Sequence, residues 1–240
     1  MKRPVIGVTP LVDKERESLW MLPDYFEAVT AAGGLPIMLP LSVEDEELAQ
    51  LYTLCDGILF TGGQDTDARA YGQEPHKESG TVIPERDEQE RILFDLCLRG
   101  DKPSLGICRG LQHFNILMGG DLYQHLPDHL PSQVEHEMKA PYDRYVHENE
   151  IVEGTPLYDL LQVHTLGVNS YHHQGIDKLA KDFVPMAYAP DGLVEAAYVP
   201  GKRMIWGLQW HPEFLHKMDE NSQKIWRAFV KACADDAGNR

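Results

Sequence analysis

The apolar positions of this chain follow two periods in turn, one typical of buried strands and one typical of amphipathic helices. Short runs rich in valine, isoleucine and leucine predict strands at residues 4–9, 35–39 and 57–61. Helices are predicted after each of these strands, beginning near Pro23, Ser42 and Pro84. Strands that alternate with helices in this way indicate an α/β fold built on a parallel sheet.

The second half of the chain has a different pattern. Residues 64–82 and 121–145 are polar and without period, which predicts two long loops. The elements predicted after them are a strand at 146–152, a short helix at 155–161, strands at 186–189, 194–198 and 204–208, and a helix at 221–234 with a frayed tail at 235–240. Turn sequences separate the last three strands, so we predict a doubly wound, mostly parallel sheet with helices on both faces and an added antiparallel patch.

Length and charge narrow the classes of function. The 240 residues fit one domain, residues 1–240, and the formal net charge of −16 disfavours binding to nucleic acid or to anionic membranes. We find no signal peptide and no apolar run long enough to span a membrane, so we expect a cytoplasmic protein. The four cysteines are widely spaced without a C-x-x-C pair, which indicates reduced thiols rather than a disulfide scaffold.

The period changes at Cys108, where a predicted strand at residues 104–107 passes directly into a helical pattern. A side chain at such a junction can project from a tight turn while the first N–H groups of the helix favour an anion, which suits a thiolate. Gly106 and Gly110 leave room for the backbone, as in a strand–nucleophile–helix elbow. The alternative interpretation is a buried core cysteine, the commoner fate of an arbitrary cysteine.

A cysteine nucleophile needs a base, and His211-Pro212-Glu213 offers one together with a carboxylate that can orient it. Pro212 disfavours the helical region for His211, so the two side chains can lie on the same side of the chain. The alternative is a polar turn after a strand. The N–H groups of Gly62 and Gly63, together with that of Arg109, could form an oxyanion hole, although a Gly-Gly pair is more often a turn.

The sequence offers no convincing site for a metal or a nucleotide. No glycine-rich phosphate loop follows the first strand. The residues considered as metal ligands, none of which has the spacing of a known metal motif, are His125, His129, His136, Asp65, Asp67 and Asp87. We therefore predict no metal and no cofactor.

Several short segments together resemble one family. Residues 105–112 resemble the nucleophile elbow of class I glutamine amidotransferases, and residues 209–213 resemble their His–Glu segment. The segments that resemble the C26 peptidase branch of this superfamily are residues 62–65, 71–72, 86–87, 168–174 and 189–192. They follow the family order along nearly the whole chain. Gln64 and Ala68 depart from the family's usual glycine and proline, which leaves substrate preference open in that loop.

The resemblance implies a flavodoxin-like α/β hydrolase that cleaves gamma-glutamyl amide bonds through a cysteine thioester. By resemblance the triad is Cys108, His211 and Glu213, with the oxyanion hole at Gly63 and Arg109. The residues implied to contact the gamma-glutamyl group are Gln112, Ser170, Tyr171 and His172. The implied substrate is gamma-glutamyl-gamma-aminobutyrate or a related amine, and a homodimer is possible by resemblance. Two alternatives stay open: a glutaminase subunit that supplies ammonia to a separate synthetase, and a non-catalytic protein that binds a gamma-glutamyl metabolite.

Overall fold

The computed structural model describes residues 2–237. In chain order the strands are β1 (Val5–Val8), β2 (Leu11–Asp13), β3 (Ser18–Trp20), β4 (Leu35–Met38), β5 (Gly57–Phe60), β6 (Ser104–Ile107), β7 (Leu122–Tyr123), β8 (His147–Ile151), β9 (Thr165–Val168), β10 (Gly175–Ile176), β11 (Val184–Tyr188), β12 (Val194–Tyr198) and β13 (Ile205–Leu208). The helices are α1 (Pro23–Ala31), α2 (Asp45–Leu54), α3 (Pro84–Gly100), α4 (Arg109–Leu117), α5 (Leu126–His129), α6 (Pro156–Leu161), α7 (Pro212–Leu215) and α8 (Glu220–Ala237).

Nine of the described strands form a continuous path in the main sheet, in the order β4-β1-β5-β6-β13-β12-β11-β8-β9. The pairs from β4 to β13 are parallel, and the pairs from β13 to β9 are antiparallel. The prediction of a doubly wound α/β sheet with an antiparallel extension is therefore confirmed. The extension is larger than predicted, because β9 joins its outer edge and the short strands β7 and β10 attach beside β12.

Helices cover both faces of the sheet and bury a separate apolar cluster on each. On one face α1, α6 and α8 contribute side chains such as Val29, Leu157 and Phe229. On the other face the rings of Phe60, Phe94 and Phe114 pack together, with ring centroids 4.9 Å apart for Phe60–Phe114 and 4.3 Å for Phe94–Phe114. Truncating one of these buried rings to alanine typically costs about 3–5 kcal/mol of stability. The clusters hold the central parallel strands rigidly between the helices.

Three predicted features differ from the structure. Residues 11–20 form the hairpin β2–β3 before α1, where we predicted a direct passage from strand to helix. The loops predicted at 64–82 and 121–145 contain one turn of 3-10 helix at Ala68–Tyr71 and the short elements β7 and α5. The last helix continues through residues 235–237, which we predicted to be frayed, and the remaining part of that predicted tail, 238–240, lies outside the described residues.

Within residues 2–237, no helix combines the length and the apolar character needed to cross a membrane.

The carboxyl ends of β5, β6 and β13 are adjacent, since β6 lies between the other two. Phe60 is paired with Gly106, and Ile107 is paired with Leu208. The chain therefore leaves these three strands side by side, at residues 61, 108 and 209. Ligands of open α/β sheets commonly bind at this rim.

Candidate active site

Cys108 lies between β6 and α4, with backbone angles of φ 53° and ψ −103°. This conformation is rare for a residue other than glycine and stores strain of about 1–3 kcal/mol. The backbone stays in place because Cys108 N–H donates to the carbonyl oxygen of Leu208 at 2.7 Å. The turn also requires close packing, since a Cβ added at Gly106 would lie 2.7 Å from the carbonyl carbon of Gly110. The thiol is thus held at a strained elbow and is 6 % exposed.

His211 lies next to this elbow, at the start of α7. Its Nδ1 is 2.6 Å from Oε1 of the fully buried Glu213. Burial alone would lower the pKa of His211, but the charges of Glu213 and Cys108 outweigh burial and raise that pKa well above the ordinary value. The structure therefore favours the protonated imidazole at His211.

The backbone of His211 is fixed by Asn169. The Asn169 side chain accepts a hydrogen bond from His211 N–H and donates one to the His211 carbonyl oxygen, both at 2.9 Å. It also donates to the carbonyl oxygen of Tyr142. Because both backbone groups of His211 are held, the imidazole keeps a fixed position relative to Cys108.

The residues of the candidate triad converge on Gly62, which follows β5. A Cβ added at Gly62 would lie 3.1 Å from Cε1 of His211 and 3.5 Å from Cβ of Cys108. The hydroxyl of Tyr25 accepts a hydrogen bond from Gly62 N–H at 3.0 Å. Burial and the nearby charge of Glu213 raise the pKa of Tyr25 well above its ordinary value. Tyr25 thus links the backbone of Gly62 to the Glu213 carboxylate of the candidate triad.

The two N–H groups predicted for an oxyanion hole point from neighbouring elements. Gly63 has φ +135°, a conformation that favours glycine. Its N–H takes no part in a described backbone hydrogen bond, and neither does the N–H of Arg109. Arg109 is the first residue of α4, where N–H groups lack helical partners. Neither N–H therefore has a described backbone partner that would prevent the role predicted for it.

A buried network of charged side chains contacts the loop after β5 and the start of α4. Arg86 donates to the carbonyl oxygens of Thr61 at 2.8 Å and Gly62 at 2.9 Å, and its Nε donates to Glu90 at 2.9 Å. The side chain of Arg109 forms ion pairs with Glu90 and Asp87. Burial would raise the pKa of Glu90, but the two guanidinium groups outweigh it and lower that pKa to about 2. The network joins α3 to residues 61–62 after β5 and to the first residue of α4.

The peptidase C26 family model matches residues 4–213 of this chain. The chain belongs to the peptidase C26 family. It is 36% identical over 246 residues to "Putative glutamine amidotransferase" of Mycobacterium tuberculosis, covering 99% of this chain and 77% of the relative. It is 32% identical over 243 residues to gamma-glutamyl-gamma-aminobutyrate hydrolase of Escherichia coli K12, covering 97% of this chain and 94% of the relative.

A solved structure with the same fold is that of a putative GMP synthase component from Thermoplasma acidophilum. It superposes with a TM-score of 0.69 at 17% identity and covers 100% of this chain and 98% of the other. At that identity the likeness shows the fold alone. It agrees with the doubly wound α/β sheet of this chain.

The cleft at Cys108 has a polar part and an apolar part. The polar part, about 290 Å³, is lined by side chains that include Gln112, His173 and Asp65. His173 Nε2 lies 2.9 Å from Oδ1 of Asp65, and this hydrogen bond raises the pKa of His173. The apolar part, about 410 Å³, is lined by the aromatic or aliphatic side chains Leu11, Trp20, Leu22, Tyr142, Tyr171 and Phe214.

The residues predicted to contact substrate have different positions. Gln112 and His172 line the polar part, and Tyr171 lines both parts and is 46 % exposed. Gln112 Nε2 donates to the Gln174 carbonyl oxygen at 3.0 Å, which fixes the amide. Ser170 is completely buried, and its hydroxyl donates to the carbonyl oxygen of His136 at 3.0 Å. The Ser170 side chain therefore supports the wall of the cleft and does not face it.

The histidines considered as metal ligands are not brought together. His125 and His129 lie near His76, with ring centroids 5.6 Å and 5.2 Å from it. His136 instead lies in a buried cluster with Glu195. Of the aspartates, Asp67 accepts a hydrogen bond from Arg69 N–H at 3.0 Å and caps the turn of 3-10 helix.

Sequence reasoning missed three parts of the site. Trp20 reaches the apolar part of the cleft from the unpredicted hairpin β2–β3. The apolar pairs at 11–12 and 19–20, separated by a polar turn, were the available signal. The sequence pattern places Tyr25 on the buried face of a helix and Asn169 within a polar cluster, without a role for either. No local pattern indicates the hydrogen bonds that these two side chains make across 37 and 42 residues.

Proposed function

We propose that this protein hydrolyses gamma-glutamyl amide bonds through a thioester on Cys108. The observation that carries the proposal is the convergence, at the ends of three adjacent strands, of the thiol, the His211–Glu213 pair and two unpaired N–H groups. Membership in the peptidase C26 family and the likeness to the Escherichia coli hydrolase support the same chemistry.

In the proposed reaction the thiolate of Cys108 attacks the gamma-carbonyl carbon of the substrate. The carbonyl oxygen becomes an oxyanion that accepts hydrogen bonds from the N–H groups of Gly63 and Arg109. His211 gives its Nε2 proton to the leaving nitrogen as the C–N bond breaks, which releases the amine and leaves a thioester. Water then attacks the thioester, His211 takes a proton from that water, and glutamate leaves as the thiolate is restored.

The polar part of the cleft suits the gamma-glutamyl group. A free glutamyl end carries an ammonium and a carboxylate, so it needs both acceptors and donors. Asp65 and the exposed Glu137 supply carboxylates, and His173 supplies a donor. We therefore assign this part to the acyl side of the substrate.

The apolar part then receives the leaving amine. Its described lining contains aromatic and aliphatic side chains but neither lysine nor arginine. Such a wall suits the carbon chain of gamma-aminobutyrate or a related amine, and it favours amines with the larger apolar body. The glutamyl product and the amine would leave in opposite directions from Cys108.

The test is a screen of gamma-glutamyl amides with the purified protein, measuring released glutamate. We expect turnover by the wild type and a loss of about 10³-fold or more in Cys108→Ala and His211→Ala. Cys97→Ala is the matched control, because burial raises the pKa of the Cys97 thiol to about 12 and keeps it inert. Circular dichroism of each variant checks folding.

Two outcomes would contradict the proposal. Glutaminase activity without turnover of any larger gamma-glutamyl amide would indicate a protein that supplies ammonia to a separate synthetase. Alkylation of Cys108 by a gamma-glutamyl electrophile with no turnover of any substrate would indicate a binding protein.

A further inference from the structure

Behind the wall of the cleft lies a second group of titratable side chains, which the proposed reaction does not use. Glu195, in the middle of β12, is fully buried. His147, the first residue of β8, and His136, from the preceding segment, face it with side chains that are 5 % and 8 % exposed. His136 Nδ1 lies 3.8 Å from Oε1 of Glu195, and His147 Nε2 lies 4.0 Å from Oε2.

In each imidazole the outer nitrogen, the one turned away from Glu195, lies beside a hydrogen-bond acceptor. His136 Nε2 lies 2.9 Å from the carboxylate of Asp191, and His147 Nδ1 lies 3.2 Å from the carbonyl oxygen of Glu135. Because a carboxylate and a carbonyl can only accept, these outer nitrogens carry the hydrogens. Histidine ligands of metals are oriented in this way, by a carboxylate or a backbone carbonyl on the far nitrogen.

The inner nitrogens, in neutral imidazoles, therefore present lone pairs towards Glu195. Among the described residues, His136 Nδ1 and His147 Nε2 are buried and have no hydrogen-bond partner, and the buried Glu195 Oε1 lies 3.5 Å from His172 Nε2. One ligand atom from each of the three residues lies within 4.8 Å of the other two. Two lone pairs and a carboxylate oxygen repel one another unless a cation lies between them.

We propose that His136 Nδ1, His147 Nε2 and the Glu195 carboxylate bind one divalent transition-metal cation of the zinc class. Two imidazoles and a carboxylate form a known zinc ligand set. Ligand atoms around tetrahedral zinc lie about 3.4 Å apart at bond lengths near 2.1 Å, so atoms at the 4.8 Å limit of this cluster have to approach one another by about 1.4 Å. The fourth position falls to water.

Charge and connectivity agree with this site. The carboxylates of Glu195 and Asp191 together carry two negative charges, which one divalent cation neutralises. Ser170 connects the site to the cleft, since its hydroxyl donates to the His136 carbonyl oxygen and lies 2.9 Å from His172 Nε2. The bound metal would therefore hold the segment at residues 169–174 against the antiparallel sheet.

The competing explanation is that a proton occupies the site. His172 Nε2 lies 3.5 Å from Oε1 of Glu195, so protonated histidines could neutralise the carboxylate without a metal. If a metal occupies the site, a chelator removes it and added zinc binds again. If protons occupy the site, no metal binds there.

The test uses the full chain carrying Cys108→Ala, so that the active-site thiol cannot bind metal. After treatment with a chelator, the protein is titrated with Zn²⁺ and Co²⁺, and bound metal, melting temperature and the visible d–d absorption of Co²⁺ are measured. We expect one metal per chain, a higher melting temperature and a tetrahedral Co²⁺ spectrum. His147→Ala and His136→Ala should each weaken binding at least about 10-fold.

His129→Ala is the matched control, because His129 belongs to the other histidine group, beside His76. It should bind as the parent chain does. The proposal is overturned if the chelated parent takes up no metal and its melting temperature does not respond to Zn²⁺. It is equally overturned if His147→Ala binds as tightly as the parent, or if His129→Ala abolishes binding instead.

Discussion

Glu90→Gln tests whether the buried charge network holds residues 61–63, the loop after β5, in place. The substitution keeps the size of the side chain but removes the charge between Arg86 and Arg109, all three side chains being almost completely buried. In the folded protein the pKa of Glu90 is about 2, against an ordinary value of 4.5. That difference corresponds to about 3 kcal/mol of stability at neutral pH. Removing one partner of a buried ion pair typically costs about 3–5 kcal/mol, which agrees.

We expect the melting temperature of Glu90→Gln to fall by about 6–12 °C at pH 7, measured by differential scanning calorimetry. The pH dependence has a definite sign. Because the folded pKa is depressed, the contribution is complete above pH 4.5 and is lost as the pH falls towards about 2. The difference between wild type and variant should therefore narrow in acid.

Glu88→Gln is the matched control on the same helix. Glu88 pairs with Arg91 at 2.7 Å, but both side chains are about half exposed, at 44% and 50%. Such a surface pair contributes no more than about 1 kcal/mol. Activity is the second measurement: kcat/KM of Glu90→Gln should fall by up to about 10²-fold at a temperature where it remains folded. Equal melting temperatures for the two variants at pH 7 would refute the reasoning.

The remaining predictions concern the cleft. Glu213→Gln should lower activity by about 10²–10⁴-fold and move the alkaline limb of the kcat/KM profile to lower pH, since Glu213 is the main group that raises the pKa of His211; an unmoved limb contradicts this. Tyr25→Phe leaves the N–H of Gly62 without its partner and should reduce stability by about 1–3 kcal/mol in urea unfolding, whereas an unchanged midpoint argues against the link. Trp20→Ala should raise KM for gamma-glutamyl amides of apolar amines and leave KM for glutamine nearly unchanged, and equal effects on both substrates would contradict the assignment of the apolar part.

The features predicted correctly from sequence are those with a local cause. The elbow at Cys108 follows from a change of period and two flanking glycines, both of which are visible within a few residues. The adjacency of Gly63, Cys108 and His211 follows from the rule that parallel strands end at one rim, once each residue is placed after a strand. The hairpin that carries Trp20 was missed because its strands are only three residues long and neither has a sustained alternation.

The charged core was not predictable for a different reason. Arg86 and Glu90 lie in the first turns of α3, where residues 85–91 are all charged except Gln89 and such side chains are normally solvated. Their burial depends on Arg109, which approaches from the next helix, and on the carbonyl groups after β5. Glu195 resembles them, since its histidine partners come from segments 23–59 residues away along the chain. Whether a charged side chain is buried depends on partners that are distant in the sequence.

The buried network also limits how the arginines can act on the thiolate. Arg109 is paired with Glu90 and Asp87, and Arg86 with Glu90, so their charges are largely cancelled where they lie. Unpaired carboxylates would destabilise a thiolate at Cys108, and unpaired guanidinium groups would stabilise it relative to the neutral thiol. With both cancelled, His211 and the N–H groups at the start of α4 are the groups left to stabilise the thiolate that we propose at Cys108. The arginines would therefore contribute by position, holding the segments that carry the proposed oxyanion donors.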